Sequence, residues 1–211
     1  MNIDNVFLYN VLCRFGSVYA LDICNDSDEF LDDISMFKDN WVQYNSRKNV
    51  NRYGLSITSL DGNLSGIPDL DSLREYSKEN NILVTETDIV TKTPVYPVAS
   101  RWLDKFSDHI CRTHLIKLGP GGFFPMHRDN NIIGIDTFRL FVPLKNCNTP
   151  AMFFILNKEI LNFENGRMYF IDTCLEHVVF NAHFEDSIFM VVNLKINREC
   201  VDLVLSSKEI T

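Results

Sequence analysis

The sequence predicts an α+β fold in which N-terminal helices cover a C-terminal β jelly roll, and three observations carry that expectation. Apolar residues recur at helical spacing in several segments before about residue 111. From about residue 112 the pattern changes to short runs rich in Val, Ile, Phe and Leu, separated by turn residues. With 211 residues, 45% hydrophobic and 23% charged, the composition is that of an ordinary globular protein able to bury one substantial core. A single domain over 1–211 is expected, with a mixed helical part at 1–111 and a β core at 112–205.

In chain order, Phe30, Ile34, Phe37 and Trp41 form a helical stripe within 28–44, after the cap-like Asp26-Ser27. Arg52 to Ser59 reads as a short strand, and Asp61-Gly62 as a turn. Ser72-x-x-Glu75 reads as a capping box opening a second helix that runs to about Asn80. Trp102, Phe106 and Ile110 place a third helix after Pro97. Strands follow at 113–118, 138–144, 150–156, 167–172, 177–181 and 187–196, with a last, weaker run at 201–205. Turns at Gly119-Pro120-Gly121-Gly122, Asn146-Cys147-Asn148 and Asn165-Gly166 separate most of them. Short strands at this spacing suggest a sandwich or a cupin-like jelly roll.

The formal charge of −8 argues against a broad phosphate-binding surface, so no nucleic-acid partner is expected. Six cysteines at 13, 24, 111, 147, 174 and 200 are dispersed without a C-x-x-C pair, which favours reduced thiols over a disulfide framework or a cysteine zinc site. The N-terminus lacks a basic signal-like region and no apolar run approaches membrane-spanning length, so a cytoplasmic protein without a membrane partner is expected.

The chemistry concentrates at His127-Arg128-Asp129, at the exit of the glycine-rich turn. In an extended strand, positions i and i+2 project from one face, so His127 and Asp129 can grip one metal ion. His177, entering a later strand, can complete the set. Two histidines and one carboxylate on one face are the ligand pattern of non-haem Fe(II) oxygenases. By itself an H-x-[DE] triplet is weak, since roughly one chance match is expected in such a composition. A second triplet, His183-Phe184-Glu185, falls in a polar stretch that reads as a solvated loop. Arg128, between the two ligands, should point outward into an ion pair. The glycines serve the turn and not a phosphate cradle, because no helix N-terminus with Lys-Ser/Thr follows. Cys174, three residues from His177, reads as a buried thiol and not a nucleophile.

Four ordered segments resemble the aspartyl/asparaginyl β-hydroxylase family of Fe(II)- and 2-oxoglutarate-dependent dioxygenases. They are Leu118-Gly-Pro-Gly-Gly-x-x-Pro-x-His127-x-Asp129, Arg139-Leu-Phe-Val-Pro-Leu144, Gly166-x-x-Tyr-Phe-Ile-Asp172 and His177-x-x-x-Asn181. The resemblance covers about residues 112–196. It implies a double-stranded β-helix, Fe(II) held by His127, Asp129 and His177, and 2-oxoglutarate and O₂ as co-substrates. The implied substrate is an amino-acid unit, in a peptide or protein or free.

One departure stands out. The family commonly carries an arginine ten positions after the distal histidine, where it pairs with the far carboxylate of 2-oxoglutarate, and this chain has Ser187 there. A dicarboxylate needs a cationic or multi-donor anchor. Arg139 is the leading substitute, Lys195 and Lys117 are weaker ones, and Ser187 can still donate one hydrogen bond. Where the family often has a histidine, this chain has Phe141. Arg52, Tyr53 and Arg101 are open to a substrate contact, but solvated surface is the stronger reading for each. A cupin-type metalloenzyme without 2-oxoglutarate and a degenerate barrel acting as a binding module are the alternative readings.

Overall fold

A computed structural model describes residues 3–129 and 135–209. Two antiparallel sheets pack face to face. The larger has seven strands in the order β1-β11-β8-β13-β6-β3-β2, where β1 is Val18–Cys24, β2 Val42–Gln43, β3 Arg52–Ser56, β6 His114–Leu118, β8 Thr137–Lys145, β11 Arg167–Ile171 and β13 Ser187–Lys195. The smaller has the order β10-β9-β12-β7, where β7 is Phe123–His127, β9 Met152–Leu156, β10 Glu159–Leu161 and β12 His177–Asn181. β4 (Thr58–Ser59) and β5 (Thr91–Lys92) form a separate two-stranded ribbon.

Side-chain alternation divides the large sheet into two faces. Phe138, Leu140 and Val142 of β8, with Met190, Val192 and Leu194 of β13, point outward into a core shared with helices α1 (Ile3–Cys13), α2 (Ser27–Ile34), α4 (Tyr96–Leu103) and α5 (Arg198–Ser206). Phe30 of α2 and Trp102 of α4 meet edge to face there, with ring centroids 4.9 Å apart. The opposite face of the same strands presents Phe141 and Phe189 to Phe154 and Val179 of the small sheet, forming a second core between the sheets. The N-terminal helices thus cover the barrel, as the periodicity predicts. α3 (Leu73–Asn80) buries no residue.

Several expectations change. The 28–44 segment is not one helix: α2 gives way to a 3₁₀ segment, Ser35–Asn40, with non-helical dihedrals at Phe37. Asp26 does cap α2, accepting from Asp28 N and Glu29 N. The capping box at Ser72 is not made, because Ser72 contributes no side-chain cap and Glu75 pairs instead with Arg47. The run at 201–205 is helical: Asn197 caps α5 through Cys200 N at 2.9 Å, and Cys200, Val201 and Val204 form its buried stripe. The β core is also not confined to 112–205, since β1, β2 and β3 extend the large sheet at both edges.

The glycine-rich turn joins the two sheets where β6 hands over to β7. Gly121 takes φ +71°, a left-handed value that glycine adopts freely. At Gly122 a side chain has no room, because the Asn51 carbonyl lies against its α-carbon. Gly119 N donates to that same carbonyl at 3.0 Å, and Asn51 Nδ2 donates to Pro120 O at 3.0 Å. The turn is therefore fastened directly to the residue that precedes β3.

Candidate metal centre

β7 and β12 pair antiparallel with His127 opposite His177, and the two imidazole centroids are 4.2 Å apart. Asp129 follows β7, its backbone N–H held by Thr173 O at 3.0 Å. Its carboxylate lies 3.3 Å from His127 Nε2 and 3.6 Å from His177 Nε2, and it is almost fully buried. One donor atom from each of the three residues falls within 4.8 Å of the others. The i, i+2 argument for His127 and Asp129 thus acquires its third member through strand register.

Hydrogen bonding fixes the tautomers. His127 Nδ1 is 2.6 Å from Pro125 O and His177 Nδ1 is 3.0 Å from Leu175 O. A carbonyl only accepts, so each Nδ1 carries the proton and each Nε2 presents a lone pair. Both lone pairs face the Asp129 carboxylate, itself only an acceptor when ionised. Such a cluster is repulsive until a cation sits among its members, and backbone bonds of this kind are the usual support of metal-bound histidines. The donor set therefore fits a divalent metal ion.

Electrostatics reinforce that fit. Burial alone would raise the Asp129 pKa, but the Arg139 guanidinium beside it holds its carboxyl well below the usual carboxylate range. Burial lowers the His177 pKa, which favours the neutral, ligating imidazole. Arg139 donates through all three nitrogens, with Nη1 on Asp129, Nε on Asn193 Oδ1 at 3.0 Å and Nη2 on Glu86 Oε1 at 3.3 Å. It lines the cavity as expected, with its donors engaged in positioning Asp129. Glu86 is shared with Arg112 at 3.1 Å; burial would raise its pKa, but the two arginines lower it.

The cluster opens into a cavity of about 380 Å³ between the sheets, walled by Phe141, Phe154, Val179 and Phe189 on its apolar side. Arg52, Arg112 and His114 line it as well. A second, polar groove continues from the metal side, sharing Tyr44, Glu86 and Asp129 with the first and adding Asp71 and Asp136.

The other candidates fall elsewhere. Ser187 is fully buried but directs its hydroxyl to Asn146 O at 2.8 Å, and neither it nor Lys195 lines the cavity. Lys117 lies over Trp41 at 4.9 Å, on the outer side of β6. Arg128 points outward and meets Glu176 at 3.4 Å. His183 and Glu185 form an exposed turn, Glu185 N donating to His183 Nδ1 at 3.2 Å. Cys174 belongs to the helix-side core.

Sequence reasoning missed Glu86, Arg112 and His114, and placed Arg52 on the surface. Arg52 is in fact 2% exposed, because β3 lies between β2 and β6. The alternation Arg52-x-Gly54-x-Ser56 was the available sign of an inward-facing set, whereas Glu86 sits in a short 3₁₀ turn with no motif around it.

No protein-family model matches the chain, and no curated protein matches it. Among solved structures, a Pseudomonas putida prolyl-4-hydroxylase is similar at a TM-score of 0.50 and 10% identity, over 90% of this chain and 100% of that one. A predicted oxalate decarboxylase from Thermotoga maritima is similar at a TM-score of 0.34 and 18% identity, over 44% of this chain and 73% of that one. A cupin domain from Bordetella pertussis gives a TM-score of 0.32 at 18% identity, over 42% and 83%. The architecture is an α+β fold built on a cupin-like jelly roll.

Proposed function

We propose that the protein is an Fe(II)- and 2-oxoglutarate-dependent dioxygenase that hydroxylates an amino-acid unit, either a protein side chain or a free amino acid. The observation that carries this reading is the convergence of His127, Asp129 and His177, with one donor atom of each within 4.8 Å of the others, at the wall of a jelly-roll cavity. His127, Asp129 and His177 would hold the metal ion, and the cavity beside them would have room for a 2-oxo acid and O₂. When bound, iron would activate O₂, the oxidant, one oxygen atom of which would enter the substrate C–H bond and the other the succinate formed as 2-oxoglutarate is oxidised with loss of carbon dioxide.

The chain's own residues do the rest. Pro125 O and Leu175 O hold the two imidazoles in the ligating tautomer. Arg139, steadied by Asn193, orients the Asp129 carboxylate. Phe141, Phe154 and Phe189 give the inner cavity an apolar wall that would disfavour water. The acidic residues of the polar groove, Asp71, Glu86 and Asp136, suit the amino group of an amino-acid unit. The architecture shared with a prolyl-4-hydroxylase supports the reading at the level of fold.

Adding 2-oxoglutarate to the Fe(II) protein without oxygen should give a visible metal-to-ligand charge-transfer band that Asp129→Ala abolishes. Iron binding without the band would favour a cupin-type metalloenzyme that does not use 2-oxoglutarate, a second reading that Ser187 in the arginine position favours. No metal binding at all would leave a binding module.

A further inference from the structure

Arg52 opens β3, is almost completely buried and lines the metal cavity. Its Nε donates to Tyr44 O at 3.3 Å and its Nη1 to Phe123 O at 3.2 Å, while the guanidinium lies 4.4 Å from the Phe124 ring centroid and 5.2 Å from that of Tyr44. Among the described residues it has no carboxylate partner. The other two arginines of the cavity are neutralised, Arg112 by Glu86 at 3.1 Å and Arg139 by Asp129 and Glu86. A guanidinium carries five N–H donors and does not shed its proton, so two backbone carbonyls satisfy part of its geometry and none of its charge. Burying such a charge without a counter-ion is costly. The cavity as a whole sets three buried or half-buried arginines and the exposed Lys48 against two carboxylates, and one of those carboxylates belongs to the metal site.

Strand register says what the charge is for. Arg52 pairs with Leu118 of β6, and Leu118 pairs with Ser187 of β13. Residues side by side in a ladder project from the same face, so Arg52 and Ser187 occupy one row of the inner face with a single strand between them. Ser187 is the position where the resemblance expects an arginine, and its hydroxyl is taken by Asn146 O. The Phe124 ring touches both groups, its centroid 4.4 Å from the Arg52 guanidinium and 6.4 Å from the His127 centroid. The contacts from Asn51 to the glycine-rich turn fix β3 in this register.

We propose that Arg52 binds the distal carboxylate of the 2-oxo dicarboxylate co-substrate, supplying from an N-terminal strand the charge that position 187 lacks. The proposal rests on the 2-oxoglutarate reading given above. It makes Arg52 the residue that distinguishes a dicarboxylate from a monocarboxylate, while metal binding and chelation of the 2-oxo acid head do not depend on it.

The test uses the Mn(II)-loaded protein and calorimetric titration of two 2-oxo acids, 2-oxoglutarate and 2-oxobutyrate, which lacks the distal carboxylate. In the wild type, 2-oxoglutarate should bind about 100-fold more tightly, and Arg52→Gln should erase that preference while leaving 2-oxobutyrate and Mn(II) affinity within about threefold. Arg52→Met, which keeps the apolar stem over Phe124, provides the same comparison if the glutamine variant does not fold. Ser187→Ala should retain the preference. A preference that survives in a folded, Mn(II)-binding Arg52→Gln or Arg52→Met protein overturns the role of Arg52 alone. A wild-type protein that binds Mn(II) but does not discriminate between the two acids overturns the 2-oxoglutarate reading itself.

Discussion

The chain contains the same three-residue pattern twice, and the two copies have opposite fates. His127-Arg128-Asp129 ends a strand whose neighbour brings His177 into register, so three ligands meet in a buried cluster. His183-Phe184-Glu185 sits on an exposed turn, with Phe184 80% exposed and Glu185 paired to Lys145 at 3.4 Å. What separates them is not the triplet but its surroundings: a strand that fixes the side-chain direction, a third ligand across the ladder, and backbone carbonyls that set the tautomers.

The contrast can be broken most severely at the carboxylates. Asp129→Ala should weaken Fe(II) binding by more than about 100-fold, since only two ligands remain. Glu185→Ala should leave iron affinity and Tm unchanged. Equilibrium dialysis under anaerobic conditions checks both, and comparable losses in the two variants would mean that the buried cluster is not the site.

A smaller effect is expected one shell out. Arg139→Met removes the guanidinium that orients Asp129 and leaves Glu86 with Arg112 as its remaining arginine partner. Iron affinity should fall about tenfold, in line with other losses of ligand-orienting groups. Unchanged affinity in the same dialysis assay would show that Asp129 is held without Arg139.

Burial also leaves a pH signature that the exposed turn lacks. His114 lies inside the cavity, and burial, followed by the charges of Arg112 and Arg139, holds its pKa well below the ordinary value of 6.5. The native imidazole therefore stays neutral while the unfolded chain takes up a proton below pH 6.5, so the native state loses stability as pH falls. The slope from this one group should therefore set in as pH falls through 6.5, with at most one proton taken up on unfolding. His114→Gln should remove that slope in urea unfolding series of the metal-free protein, and His183→Gln should not. His177, whose pKa burial also lowers, keeps its own slope of the same sign, so the comparison is with the wild type, and a slope unchanged in His114→Gln would assign it to other groups.

The parts of this molecule that were legible in the sequence are those where one residue meets several constraints at once. Gly121 and Gly122 serve the turn, His127 and Asp129 serve strand direction and ligation, and the apolar runs of β8 and β13 serve two cores. Where a single cue stood alone, it misled. The run at 201–205 was too short to show its period, and Asn197 as a helix cap decides it. Ser72-x-x-Glu75 matches a capping box, but a distant arginine claims Glu75. Arg52 and Glu86 could not be placed because their surroundings are non-local: β3 is buried by pairing with β2 and β6, and Glu86 is defined by Arg112 and Arg139.

The central claim is that His127, Asp129 and His177 hold one metal ion. X-ray absorption fine structure on the Fe(II)-loaded protein tests it most directly, because it identifies the neighbours of the ion itself. Two histidine imidazoles with otherwise oxygen neighbours are predicted, falling to one imidazole in His177→Ala and remaining at two in His183→Ala. A sulfur neighbour, or a loss of imidazole on replacing His183 and not His177, would contradict the account.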